Sequence, residues 1–80
     1  MEKKYKFTEE TRQYKGRLLH RIIALRDFSI IQAGEKGGWI EKEENLSHEG
    51  NCWVREEAIV CDKACVSDNA KVAGEAIVEE

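Results

Sequence analysis

The sequence contains no proline and no long run of apolar residues. Proline cannot donate to a strand ladder, so its absence is compatible with a chain built from continuous ladders. No apolar stretch approaches the roughly 20 residues that a membrane-spanning helix needs. Residues Met1 to Tyr5 also lack the apolar segment and cleavage site of a signal peptide. We therefore predict no membrane partner and a cytoplasmic location.

The chain carries no strong excess of positive charge. Of its 80 residues, 41% are hydrophobic and 36% are charged, and the net charge is −3. Binding to a nucleic-acid backbone calls for clustered Lys and Arg, so the composition argues against nucleic acid as the main partner. A chain of this length forms one small domain with a modest core, and self-association often supplies additional stability in such cases.

A period of six residues runs through the C-terminal half. Valine recurs at Val54, Val60, Val66, Val72 and Val78. A small residue lies two positions before each valine, at Cys52, Ala58, Ala64, Ala70 and Ala76. A helix would rotate successive valines by about 240° and scatter them around its axis, so this period does not indicate a helix.

Short strands with tight corners explain the period. Residues two apart in a strand point to the same side, so the small residue and the valine of each unit both face inward. Three such sides close a triangular coil, and successive coils stack along its axis. The predicted core consists of Cys52, Val54, Ala58, Val60, Ala64, Val66, Ala70, Val72 and Ala76.

The segments Val54 to Ala58, Val66 to Ala70 and Val72 to Ala76 resemble the hexapeptide-repeat proteins. That resemblance implies a left-handed parallel β-helix with about eighteen residues per coil, commonly assembled as a trimer. The upstream stretches from Gly34 to Ile40 and from Asn45 to Ser47 are similar to segments of small, uncharacterised phage and prophage proteins.

Continuing the small-residue column backward predicts where the coils begin. Steps of six from Cys52 reach Leu46, Ile40 and Gly34. Residues 34–80 would then form about 2–3 coils, with Gly37 and Gly38 allowing a corner at positive φ. Residues 1–33 would form an N-terminal cap.

The cap has two possible structures. The alternation in residues 4–7 indicates a strand, and Gly16 to Leu25 favours a second strand paired with it across Thr8 to Lys15. A helix from Thr8 to Leu25 is the alternative. The predicted fold is therefore all-β, with a hairpin-like cap followed by a short β-helix.

Several apolar side chains are expected to face outward or to lie at an open end. The candidate interface residues are Trp39, Trp53, Ile59, Cys65, Ile77 and Val78. The repeat runs to Ala76, Ile77 and Val78 without a polar or helical cap, which would leave a strand edge open to pairing. We expect a homodimer or a homotrimer.

The residues with possible catalytic or metal chemistry are few. Two pairs of possible zinc ligands share one spacing, each with three residues between its members: His48 with Cys52, and Cys61 with Cys65. The repeat points the three thiols in different directions, so they cannot converge on one metal. An odd number of cysteines also suits a reducing compartment. We predict no metal, no cofactor and no catalytic residue.

These observations favour a non-enzymatic binding protein over an enzyme. Acyltransferases that share the repeat typically use a His base, as the resemblance implies, but neither His20 nor His48 lies in a recognisable active-site loop. The phage resemblance implies a protein that inhibits or sequesters a host protein or a small signalling ligand as part of a response to host defence. Two alternatives remain: a structural or assembly module, and a truncated relative of hexapeptide-repeat acyltransferases.

Overall fold

The computed structural model describes residues 3–79, and they form an all-β structure. The strands are β1 (Tyr5–Tyr14), β2 (Arg17–Ala24), β3 (Lys36–Ile40), β4 (Trp53–Val54), β5 (Ile59–Cys61), β6 (Lys71–Val72) and β7 (Ile77–Glu79). The helical content of this part of the chain is a single 3₁₀ turn, Glu43–Asn45. The prediction of an all-β fold is confirmed. No helix within residues 3–79 is long and apolar enough to cross a membrane.

The N-terminal segment is a β-hairpin. Strands β1 and β2 pair antiparallel, and Tyr14 lies opposite Arg17. Lys15 (φ 51°) and Gly16 (φ 80°) form the tight turn, where positive φ matches the twist of the two strands. The helix alternative is therefore wrong. The expected connection across Thr8 to Lys15 is wrong as well, because β1 continues through it with an irregularity between Phe7 and Thr11.

Two open sheets connect the cap to the repeats. The larger has the strand order β1-β2-β3-β5-β7, with antiparallel pairs up to β3 and parallel pairs beyond it. The smaller joins β4 to β6 in parallel. A third parallel contact links Leu46 to Val66. Later segments of the chain thus pair in parallel with earlier ones at three places. Neither sheet closes on itself.

The corners between these ladders share one backbone conformation. A residue with positive φ occurs every six positions, at Gly50 (74°), Glu56 (59°), Asp62 (62°), Asp68 (56°) and Gly74 (69°). The last four corners are each closed by the N–H of the small residue, which donates to the carbonyl three residues earlier. Glycine and aspartate tolerate this conformation better than most residues, which explains their frequency here.

The upstream register differs from the predicted one. Ile40 pairs with Val60, and Leu46 lies opposite Val66, so both belong to the valine column rather than to the small-residue column. The step from Leu46 to Val54 is eight residues instead of six, because the loop around Gly50 holds two extra residues. From Cys52 onward the register is regular. Trp53, for example, pairs with Lys71, which occupies the same position three hexads later.

Gly37 and Gly38 lie inside β3 rather than at a positive-φ corner. A Cβ on Gly38 would come within 2.6 Å of the Ala58 carbonyl oxygen, and one on Gly37 within 2.6 Å of the Val54 carbonyl oxygen. Real Cβ atoms do not approach backbone oxygens so closely. Glycine is therefore needed here for close packing and not for its freedom in φ.

The core extends from the cap into the first repeats. Among the predicted core residues, six are buried: Cys52, Val54, Ala58, Val60, Ala64 and Val66. The remaining three are not: Val72 is half-buried, and Ala70 and Ala76 are exposed. The difference arises because no residue within 3–79 packs below the last turn of the chain.

Candidate functional site

A column of apolar side chains runs down the outer face of the larger sheet. Trp39 pairs with Ile59, and Ile59 pairs with Ile77, so the three lie one below the other. Trp39 is 8% exposed and Ile59 is 3% exposed, whereas Ile77 is 46% exposed. The β1–β2 hairpin accounts for this gradient, because Tyr14 packs with Leu19 against the upper part of the column.

Charged side chains enclose the top of that column. The Arg21 guanidinium lies 4.6 Å from the centroid of the Trp39 ring, within range for a cation–π contact. Arg21 Nη2 donates to Glu57 Oε2 at 2.9 Å, and Trp39 Nε1 donates to Glu57 Oε1 at 3.2 Å. These hydrogen bonds, first from Trp39 and then from Arg21, lower the pKa of Glu57. Glu57 therefore holds a guanidinium against an aromatic face.

A groove of about 420 Å³ lies directly below this network. Ile59 and Ile77 form its apolar lining, and Arg12, Glu57 and Glu75 contribute the charges. Arg12 lies 3.6 Å from Glu57, but Glu75 has no ion-pair partner within residues 3–79. The groove thus combines an apolar surface with two carboxylates and one guanidinium, and one of the carboxylates is unpaired.

The interior of the cap holds a buried lysine. Lys4 Nζ donates to the carbonyl oxygens of Cys52 at 2.8 Å and Gly50 at 3.3 Å, and it lies 3.3 Å from Cys52 Sγ. The amine also lies 4.8 Å from the centroid of the Phe28 ring. Burial lowers the pKa of Lys4. The two carbonyls satisfy an amine that would otherwise be costly to bury.

His48 has a structural role in this cap. Its ring stacks on Tyr5 at 4.1 Å, and its Nδ1 accepts the backbone N–H of Lys4 at 3.0 Å. An acceptor at Nδ1 places the ring proton on Nε2 in the neutral tautomer, and Nε2 lies 3.5 Å from Glu43 Oε1. Nδ1 is occupied by the Lys4 N–H, and Nε2 is buried without a hydrogen-bond partner within residues 3–79, so His48 is poorly placed to accept a proton from a substrate.

His20 is the less constrained histidine. It lies in β2 and stacks on Phe7 with ring centroids 4.5 Å apart. Neither of its ring nitrogens has a hydrogen-bond partner within the described part of the chain. His20 is also only half-buried.

The three cysteines lie in three different environments. Cys52 is in the core beside Lys4, Cys61 is in the cluster beneath the hairpin, and Cys65 is exposed. Burial raises the pKa of Cys61. No group of three or more potential metal ligands comes together within residues 3–79.

The predicted interface residues do not form one surface. Trp53 is fully buried, with edge contacts to Phe28 at 5.2 Å and to Tyr5 at 6.4 Å. Trp39 and Ile59 are covered by the hairpin. These three side chains have almost no surface to offer a partner, so the interface prediction is wrong for them. Cys65 and Ile77 are exposed and Val78 is half-buried.

Comparison with known proteins points to one relative. No family model matches the sequence. Over 85 aligned residues, the chain is 38% identical to a protein of Escherichia coli (strain K12) named uncharacterized acetyltransferase YdcK. The alignment covers 95% of this chain and 26% of the relative. The chain therefore spans about a quarter of the length of the curated relative it matches.

This relative corrects two predictions. A protein named as an acetyltransferase contradicts the prediction that the chain is not an enzyme and the prediction of a non-enzymatic binding protein. The alternative of a truncated relative of hexapeptide-repeat acyltransferases is better supported. From the sequence alone this was only an alternative, because no catalytic motif marks the chain. The resemblance to phage and prophage proteins is not shown.

Proposed function

We propose that the chain forms the capped end of a left-handed parallel β-helix of the hexapeptide-repeat acyltransferase kind and takes part in acetyl transfer. The observation that carries the proposal is the 38% identity to the acetyltransferase-named relative over 95% of the chain. The parallel ladders that join each strand to its equivalent three hexads later also support it, as do the positive-φ corners every six residues. Both are what a β-helix with triangular coils requires.

Acetyl transfer needs a group that accepts a proton. In this reaction an acceptor nitrogen or oxygen bonds to the carbonyl carbon of a thioester donor while the carbon–sulfur bond breaks. A base takes the acceptor proton, which passes to the departing thiolate. We assign this role to His20, because its ring nitrogens have no hydrogen-bond partner within residues 3–79, whereas Nδ1 of His48 is occupied by the Lys4 N–H and its Nε2 is buried.

A transfer assay with two protein forms tests the proposal. The first is the 80-residue chain, and the second is a chimera in which it replaces the aligned region of the relative. Each is mixed with acetyl-coenzyme A and a panel of amines and alcohols, and thiol release is followed. We expect the chimera to release thiol from acetyl-coenzyme A only when an amine or alcohol acceptor is present, whether or not the 80-residue chain does so alone. A silent chimera beside an active relative would refute the proposed function.

Variants of His20 test the assigned role separately. His20→Gln in the active form should slow transfer by about 100-fold or more, the usual range for loss of a general base. Arg26→Gln, which changes another half-buried polar residue of the cap, is the matched control. Circular dichroism should establish that both variants fold. A His20→Gln protein that transfers at the parent rate would remove His20 from the mechanism and leave the function standing.

Self-association and a cytoplasmic location form part of the same proposal. Backbone N–H groups of one turn donate to carbonyls of the next at Trp53, Arg55, Glu57 and Ile59. The corresponding N–H groups on the next turn belong to Lys71, Ala73, Glu75 and Ile77. No carbonyl within residues 3–79 accepts a hydrogen bond from them. Such an edge can be covered by a further turn or by a second chain, and for the 80-residue chain we propose the second. Light scattering that gives 9.2 kDa at all concentrations would contradict self-association. The three free cysteines support a reducing compartment.

A further inference from the structure

Two glutamates occupy equivalent positions on successive turns but differ in their partners. Each follows the positive-φ residue of its corner, Glu56 for Glu57 and Gly74 for Glu75. Glu57 holds the Arg21 guanidinium at 2.9 Å and accepts a hydrogen bond from Trp39. Glu75 has no cation within residues 3–79, although it lines the groove together with Glu57.

The apolar neighbours of the two glutamates lie in one column but differ in exposure. Trp39 and Ile77 belong to the same outward column, with Ile59 between them. Arg21 covers Trp39, whereas Ile77 is 46% exposed. Trp39 lies one ladder step above Ile59, the neighbour of Glu57, and Ile59 lies one step above Ile77, the neighbour of Glu75. Ile77 is therefore an exposed apolar side chain beside a carboxylate that has no cation within residues 3–79.

We infer that this groove binds a primary alkylammonium group. The ammonium would lie between the carboxylates of Glu75 and Glu57, and the alkyl chain would cover Ile77 and Ile59. An anionic ligand is disfavoured, because the guanidinium groups of Arg21 and Arg12, at 2.9 Å and 3.6 Å, both lie on Glu57 and leave the Glu75 carboxylate without a cation within residues 3–79. The volume of about 420 Å³ is within the range of small-molecule sites. This binding requires no acetyl transfer and is independent of the proposed function.

Titration of the full chain with n-hexylamine tests the inference. Chemical shifts of the isotope-labelled protein should move first at Ile77 and Ile59, with a dissociation constant on the order of 1 mM for so small a ligand. Hexanol and hexanoate are the comparison probes, since they keep the alkyl chain and replace the ammonium by a neutral or an anionic group. Both should bind at least about fivefold more weakly than hexylamine.

Matched charge variants locate the site. Glu75→Gln should weaken hexylamine binding by about fivefold, because it removes the unpaired carboxylate. Glu49→Gln removes one exposed carboxylate elsewhere and should leave binding unchanged. Equal weakening by both variants would mean general electrostatic attraction and would overturn the inference. Shifts centred away from Ile77, or equal affinity for hexanol or hexanoate, would overturn it as well.

Discussion

The two ends of the repeat have the same local sequence pattern and very different environments. Ala58 and Ala64 are buried beneath the cap, whereas Ala70 and Ala76 are exposed in the same corner position. All four N–H groups nevertheless make the same hydrogen bond to the carbonyl three residues earlier. The six-residue unit therefore determines the shape of each corner, while burial depends on what lies above and below it.

The largest difference in stability between the two ends of the repeat is expected for alanine substitutions at two glycines, Gly38 and Gly74. Gly38→Ala would bring a Cβ within 2.6 Å of the Ala58 carbonyl oxygen, and we expect it to lower the free energy of unfolding by about 3 kcal/mol. Gly74→Ala meets no atom within 4 Å and should cost only about 1 kcal/mol, from its positive φ. Urea denaturation measures both. Equal costs would mean that β3 can move away from β5.

Enlarging the corner alanines compares the two ends more directly. Ala64→Leu places three extra carbons in the packed core and should cost about 1–3 kcal/mol. Ala76→Leu makes the same change at an exposed site and should alter stability by at most about 0.5 kcal/mol. Thermal melting of the two variants is the measurement. If Ala64→Leu melts with the parent, the alanine column does not face a tight interior.

The buried amine of the cap provides a test that depends on pH. Lys4→Met leaves the Gly50 and Cys52 carbonyls without their donor and should cost about 1–3 kcal/mol at neutral pH. Burial lowers the pKa of Lys4 below 10.5, so the unfolded chain binds this proton more tightly than the folded chain. The parent should therefore gain stability relative to the variant as pH rises toward 10.5.

Lys3→Met is the matched control for that experiment. Lys3 is exposed, and its ion pair with Glu43 at 3.0 Å is a surface contact. Its loss should change stability little, with no comparable trend at alkaline pH. A Lys4→Met variant that follows the parent at every pH would show that the Lys4 amine reaches water in solution.

The smallest effect on stability is expected from substitutions of Glu57 and Glu75, which occupy the same position in their hexads. Glu57→Gln replaces the charged acceptor of Arg21 by a neutral amide and should lower the melting temperature slightly at neutral pH. Its hydrogen bonds lower the pKa of Glu57, so this contribution should disappear as pH falls through that pKa. Glu75→Gln should leave the melting temperature unchanged, because Glu75 has no ion-pair partner within residues 3–79. A larger loss for Glu75→Gln would reverse the comparison.

The six-residue periodicity predicted the structure from Cys52 onward better than the structure before it. From Cys52 onward, the six-residue period identified the corners and the direction of the valines. It failed between Leu46 and Val54, where two extra residues accommodate a loop that contacts the cap through His48 and Gly50. Those contacts join distant parts of the sequence, so no local pattern reveals them.

The candidate site was less predictable than the fold for the same reason. Trp53 looked like an outward residue of a strand, but Tyr5 and Phe28 cover it from the cap. The groove combines Arg12 of the hairpin with Glu75 of the last turn. One signal was present in the sequence, because Glu57 and Glu75 occupy the same position of hexads that are one full turn apart. Their difference in pairing depends on how far the hairpin reaches across the sheet.

The regular spacing of the positive-φ corners has a consequence for how such a gene can change in length. Ladder partners below Cys52 are separated by three hexads, one turn of the proposed coil. An in-frame duplication of residues 58–75 would therefore insert one turn and keep the contacts of the cap with residues up to Glu75, while it would move Glu79 away from Tyr14 and Lys15. Duplication of a single hexad would instead rotate everything after it by one side of the proposed triangular coil. We expect the first variant to melt cooperatively and the second to lose the β7 ladder. Chain length in this architecture should therefore change in steps of three hexads. Recombination within the repeats should yield folded proteins mainly when it adds or removes such whole turns.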